Sequence, residues 1–264
     1  MNNETPAQDV NHLLASLTPA DWQLIRPQLH WVELPQGACL HKVGDVLQHV
    51  YFPVTAIVSL VSTMRDGASA EVAVVGNEGV VGISALIGGD RAHSAAVVQG
   101  AGFGWRMPAA DIAAHAARSG AVMRPLLRYA QALAAHMAQT VGCNRHHRLE
   151  QQLCRWLLLQ ADRSPSHELK VTQERIAEML GVRREGVTAG ALSLQKDGLI
   201  RYARGRIAVL DRGGLEARSC ECYAVISQSY GRLRAASPTL GRMSPLWALS
   251  SSAARAPERR LALV

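Results

Sequence analysis

The stretch TQERIAEMLGVRREGVTAGALSLQKDGLIRYARGRIAVL, Thr172 to Leu210, decides the fold. Thr172 is a good N-cap, and Glu174 puts a negative charge in the first turn, where the helix dipole favours it. Ile176, Ala177, Met179 and Leu180 share one face of that helix. Gly181 follows where a helix end wants a left-handed residue, and Val182 plugs the turn. A second helix starts near Arg183, with Val187, Ala191, Leu192 and Leu194 expected inward. Small Ala177 permits close packing, Gly181 turns the chain and Val187 fills the wedge. Their separation, four and then six residues, is what a helix-turn-helix needs. Asp197-Gly198 then leads into a two-stranded ribbon, LIRYA and RIAVL, with Arg204-Gly205-Arg206 at its tip, like the wing of a winged helix. An αα-hairpin followed by a plain β-hairpin would share much of this pattern.

Charge separates the two readings. The 264 residues carry a formal net charge of +7, unevenly spread. Residues 1–142 hold 8 Lys/Arg against 10 Asp/Glu, and residues 143–264 hold 20 against 11. A near-neutral half joined to a basic half suggests that one part senses or packs while the other meets a polyanion. The start of the second helix exposes Arg183, Arg184 and Glu185, residue types suited to base edges: arginine to guanine, glutamate to the cytosine amino group. Thr172, Gln173, Thr188 and the tip residues Arg204 and Arg206 are placed to hold phosphates. Double-stranded DNA is the expected partner.

Upstream, the texture changes twice. From Trp31 to Met107, Val- and Ile-rich runs are broken every 8–12 residues by turn signals such as Arg65-Asp66-Gly67 and Gly76-Asn77-Glu78-Gly79, which predicts an antiparallel β-roll. The first 28 residues read as helix, with Thr18 capping a helix begun by Pro19. A short helix starts at Pro108 and stops near Gly120. A long helix follows, in which Met123, Leu126, Ala130, Leu133, Met137, Thr140 and Asn144 step 3,4,3,4. A helix buried against its own domain would show the same stripe, but a narrow seam containing Ala and Thr suits a homodimeric pair. The dimer seam is therefore assigned to Met123, Leu126, Ala130, Leu133 and Met137. Cys143 to His147 reads as a hinge, and Leu149, Leu153, Trp156, Leu157 and Leu158 as the buried face of a further helix. The expected fold class is α+β, in four parts: a β-roll sensor domain (1–118), a dimerisation helix and hinge (119–145), a winged helix-turn-helix (146–215), and a C-terminal helix with a disordered tail (216–264).

The remaining composition excludes more than it assigns. At 48% hydrophobic there is material for a sizeable core, yet no apolar run reaches the length of a membrane span, and the polar N-terminus lacks a signal core. A cytoplasmic location with no membrane partner is expected. Five scattered cysteines (Cys39, Cys143, Cys154, Cys220 and Cys222) read as free thiols. Cys220-x-Cys222 is closer-set than the usual zinc knuckle. A site drawing on Cys143, His146 and His147 is conceivable, but buried structural cysteines are favoured, so no metal is expected. No GxSxG, HExxH, phosphate-loop or dinucleotide fingerprint is present, so no catalytic residues are assigned and an enzyme is not expected.

With VYFP (50–53), DG (66–67), VAVVGNEGVVG (72–82), CNRHHRLEQQLCRWLL (143–158) and the Thr172–Ile200 helix-turn-helix, the chain resembles the Crp/Fnr family of bacterial transcription regulators over roughly residues 15–215. The resemblance implies a homodimer on a palindromic promoter site that recruits or blocks RNA polymerase. It also exposes three departures. Where cAMP-binding members hold a Gly-Glu pair and an Arg-Ser pair, this chain has Gly82-Ile83 and His93-Ser94. Ile83 cannot accept a ribose hydrogen bond, and His93 is at best a partial cation, so cAMP is not expected and the effector, if one exists, is another small molecule. The first cysteine, Cys39, stands alone, which rules out an N-terminal four-thiolate iron–sulfur cluster. In the reading helix, Ala189 stands where members commonly have arginine, and Gly186 and Gly190 each cost roughly 1 kcal/mol of helix propensity. Base reading thus shifts towards Arg183 and Arg184. The alternatives are a regulator that needs no effector, and a β-roll scaffold without DNA binding.

Overall fold

The computed structural model describes residues 11–89, 91–166 and 168–235, so the expected disorder of the tail lies outside the described residues. Among the described residues the N-terminal helical region consists of two short helices, α1 (His12–Ala15) and α2 (Pro19–Ile25), then a 3-10 turn at Arg26–Gln28. Thr18 Oγ1 accepts from Asp21 N at 3.1 Å, the expected cap.

Seven strands follow: β1 (His30–Leu34), β2 (Cys39–His41), β3 (His49–Pro53), β4 (Ile57–Thr63), β5 (Ser69–Val75), β6 (Ala95–Gly100) and β7 (Gly102–Pro108). They form two antiparallel sheets, β1-β7-β3 and β2-β6-β4-β5, which is the β-roll. VVGIS departs from the strand reading: Val81 makes one bridge to Tyr51, and Ile83–Leu86 is a 3-10 turn. β4 and β5 are buried on both faces at their cores, because helices cover the side of the sheet that solvent would otherwise wet.

After α3 (Ala109–Arg118), α4 runs unbroken from Gly120 to His146. The polar stretch at Cys143–His147 therefore does not break the helix where it begins. The bend falls at His147 and Arg148, whose backbones are extended, and α5 (Leu149–Ala161) starts there. The winged half comprises β8 (Glu168–Lys170), α6 (Gln173–Leu180), α7 (Arg184–Lys196), β9 (Ile200–Ala203) and β10 (Arg206–Val209). The ribbon has a third strand, in the order β8-β10-β9, where two were expected. Two last helices, α8 (Arg212–Arg218) and α9 (Glu221–Ala235), complete the described chain, and α9 lies along α4.

Sheet and winged half are tied through polar groups, one pair of them buried. Arg163, just past α5, forms a 2.7 Å ion pair with Glu78 in the Gly76–Gly79 turn, both almost fully buried. Gly79 lets that turn approach α4, since a Cβ there would overlap the Tyr129 ring. Gln36 Nε2 donates to Lys170 O at 2.9 Å, and Arg175 Nε to Gln99 Oε1 at 3.1 Å.

Candidate nucleic-acid interface

The two helices are set by their ends. Thr172 Oγ1 accepts from Arg175 N at 3.2 Å and caps α6. At the other end Gly181 has φ +65, with Val182 N bonded to Ala177 O and Gly181 N to Glu178 O, a Schellman closure that aims the chain into α7. Val187, Ala191 and Leu194 are buried as expected, but Leu192 is 60% exposed. The buried positions step 4 and 3, so residue 192, about 100° further round, faces out.

The three base-reading candidates share one exposed corner. Arg183 is the N-cap residue of α7, and Arg184 and Glu185 are its first two residues. Arg184 Nη1 lies 3.7 Å from Glu174 Oε2 with both side chains about two-thirds exposed, a contact weak enough to yield to a nucleic acid. Behind them, Thr188 Oγ1 donates to Gln173 Oε1 at 2.7 Å. This pair clamps α6 to α7. Gly186 and Gly190, which weaken the helix, face α5: a Cβ at 186 would stand 2.6 Å from Leu149 Cδ2, and one at 190 would stand 3.2 Å from Leu153 Cδ2. The propensity cost of both glycines therefore accompanies a close helix crossing that seats the reading helix on α5.

The wing tip is a two-residue turn. Among the described residues Arg204 is the only non-glycine with positive φ (+49), and Gly205 follows at +72, the signature of a type I′ hairpin. Arg204 and Arg206 are exposed. Arg206 Nη1 contacts Glu168 Oε2 at 3.3 Å on β8, again a solvated pair.

The other predicted sites separate less cleanly. Gly82 begins the 3-10 turn with φ +92 and Ile83 is half-buried, whereas His93 is exposed and Ser94 half-buried ahead of β6. No hydrogen bond joins the two pairs among the described residues. The dimer seam divides. Leu126 and Leu133 are 3% and 5% exposed within the single chain, on the same buried face of α4 as Val122, Tyr129, His136, Thr140 and Cys143, while Met123, Ala130 and Met137 lie half-buried at its border. α9 covers this face: Tyr230 Oη lies 3.2 Å from His136 Nδ1, and its ring stands 6.4 Å from that of Tyr129. The face of α4 open to solvent carries Leu127 (51% exposed), Gln131, Ala134, Ala138 and Val141 (67% exposed).

Two further groups stand apart from these sites. Glu71 is buried on β5, 2.5 Å from Ser59 Oγ and 3.5 Å from Gln160 Nε2 of α5. Burial pushes its carboxyl up to about 7, against the pull of the Ser59 hydroxyl and the nearby Arg155 and Arg163 charges. Three of the five cysteines, Cys143, Cys220 and Cys222, meet at one point with His147, while His146, weighed with them in the sequence, is exposed and outside the group. The only sequence signal for this was Cys143-x3-His147 at one helix end and Cys220-x-Cys222 at another helix start.

A β-roll sensor fold joined through a long helix to a winged helix-turn-helix defines a DNA-binding regulator. Residues 31–119 match the cyclic nucleotide-binding domain family, and residues 151–218 the Crp-like helix-turn-helix domain family. The chain belongs to the Crp/Fnr family of transcription regulators. Similar folds include a Crp/Fnr-family transcriptional regulator of Eubacterium rectale (19% identity, TM-score 0.62, covering 78% of this chain and 96% of that one). FixK2 of Bradyrhizobium japonicum is also similar (17%, 0.61, 73% and 98%). So is a CRP-family transcriptional regulator of Thermus thermophilus (24%, 0.57, 71% and 96%). No curated protein matches the chain. Among the described residues, no helix is long and apolar enough to cross a membrane.

Proposed function

We propose that the protein acts as a homodimer on a palindromic promoter site, recruits or blocks RNA polymerase there, and answers to a signal at the β-roll other than cAMP. The observation that carries the DNA reading is the exposed corner formed by Arg183, Arg184 and Glu185, flanked by the Arg204/Arg206 tip. The corner reads base edges. The tip, with Thr172 and Gln173 at the start of α6, holds the backbone. Thr188 supports both by clamping α6 to α7.

The dimer reading moves to the solvent face of α4. Leu127, Gln131, Ala134, Ala138 and Val141 step 4,3,4,3, and small residues there allow two helices to approach closely. The signal reading rests on Ile83 and His93, which offer a cyclic nucleotide neither a carboxylate acceptor nor a bidentate guanidinium.

A binding-site selection at two salt concentrations tests the interface. Arg184→Ala should cost about 1–3 kcal/mol on the selected site and relax one base position per half-site. Arg206→Ala should weaken all sequences alike and flatten the salt slope by about one unit. An unchanged selected motif in Arg184→Ala would remove this residue from base reading.

A further inference from the structure

We infer that Cys143, His147, Cys220 and Cys222 bind one zinc ion, in a Cys3His site that clasps the end of α4 to the start of α9. The four donors come from three places: Cys143 in the last turn of α4 and His147 at its C-cap, Cys220 between α8 and α9, and Cys222 in the first turn of α9. Their ligand atoms all lie within 4.8 Å of one another. Cys143 Sγ stands 3.5 Å from Cys220 Sγ, and Cys222 Sγ 3.4 Å from His147 Nδ1. A tetrahedral zinc with the usual bond lengths needs edges of about 3.8 Å between sulfurs and about 3.5 Å from sulfur to nitrogen. The four side chains thus surround a volume the size of one ion, and three thiolates with one imidazole are a standard closed zinc set.

The surroundings point the same way. With Nδ1 turned to the sulfurs, His147 Nε2 lies 3.3 Å from Glu221 Oε1, the carboxylate–histidine–metal arrangement that fixes tautomer and ring orientation. Gln139 Nε2 donates to Cys222 Sγ at 3.1 Å, a bond suited to a thiolate. Arg155 is buried and donates to Thr140 Oγ1 and Asn144 Oδ1, which flank Cys143 on α4, and it has no ion pair among the described residues. A zinc ion with three thiolates carries net charge −1, which would offset this cation. The three cysteines also form an apolar cluster of their own, separate from the main core. Binding balances as one Zn2+ taken up and three thiol protons released. The consequence is mechanical: the ion pins α9 to α4 at the bend where the winged half is hung.

The test uses the full chain, purified without chelator. Elemental analysis should give one zinc per chain. Cobalt exchanged into the protein should show thiolate-to-cobalt charge transfer and tetrahedral d–d absorption. Cys220→Ser and Cys222→Ser should lose both. Because those variants could fail to fold, Glu221→Gln is the companion: it keeps every ligand and should weaken zinc about 10- to 100-fold, read by competition with a chromophoric chelator. His147→Cys should retain the ion, and Cys39→Ser and Cys154→Ser should behave as wild type. Protein free of zinc after metal-replete purification, an iron–sulfur spectrum, a Cys143–Cys220 disulfide in place of metal, or zinc affinity unchanged in both Cys220→Ser and Glu221→Gln would each overturn the assignment.

Discussion

Glu71→Gln should change how stability depends on pH, in a direction the structure fixes. The carboxyl sits on β5 under α5 with almost no solvent contact, and burial moves its pKa from 4.5 to about 7. The folded state therefore holds a proton that the unfolded chain releases above about pH 4.5, so unfolding is favoured progressively as pH rises from 4.5 to 7 and the loss then levels off. A shift of two to three units corresponds to about 3 kcal/mol, a sizeable share of a domain's stability. Glutamine keeps the oxygen that accepts from Ser59 but cannot ionise. Relative to wild type, the variant should gain about 3 kcal/mol between about pH 4.5 and about pH 8. Buried His136 titrates in the opposite sense: its pKa is pushed well below 6.5 by burial and by Arg163 and Arg155, so stability falls in acid. That contribution is common to both proteins and cancels in the difference. Urea unfolding across this pH range, at one protein concentration, gives the comparison. Parallel curves, or a wild type that gains on the variant as pH rises, would refute the reasoning.

Three further outcomes are expected. Val141→Asp should leave chain stability within about 0.5 kcal/mol and yield monomers by sedimentation, whereas Leu133→Asp, aimed at a buried position, should destabilise the fold by several kcal/mol. Gly79→Ala should cost about 1–3 kcal/mol, because the new methyl overlaps the fully buried Tyr129 ring, and thermal unfolding reads this directly. Calorimetric titration with cAMP should show no binding tighter than about millimolar, near −4 kcal/mol, and a micromolar constant would show that Ile83 and His93 do not occupy the pocket positions assigned to them.

The winged half was legible because its signals are local. Thr172, Gly181 and the Arg204-Gly205 tip each demand a particular backbone, and the buried spacing of Val187, Ala191 and Leu194 follows from helix geometry alone. β8 was missed for the complementary reason: three residues, Glu168 to Lys170, are too few to show a period, and only pairing with β10 makes them a strand. Leu192 is apolar, but its place about 100° round the helix from Ala191 turns it to solvent.

The long helix shows where local reading stops. Two heptad tracks run along α4, one through Leu126 and Leu133 and one through Leu127 and Val141, and both carry apolar residues. Which track is covered depends on α9, which reaches α4 from far along the chain, Tyr230 meeting His136 across 94 positions. The same long-range fold explains Glu71 and the cysteines. An acid within an alternating strand signals nothing until Gln160 and Ser59 close over it, and a C-x3-H with a C-x-C has no metal meaning until two helix ends meet. Such features share a physical origin. Each is a polar or reactive group whose cost is met by a partner distant in sequence, so a single sequence displays the group and withholds the partner. In this chain those groups lie where β5 meets α5 and where the end of α4 meets the start of α9.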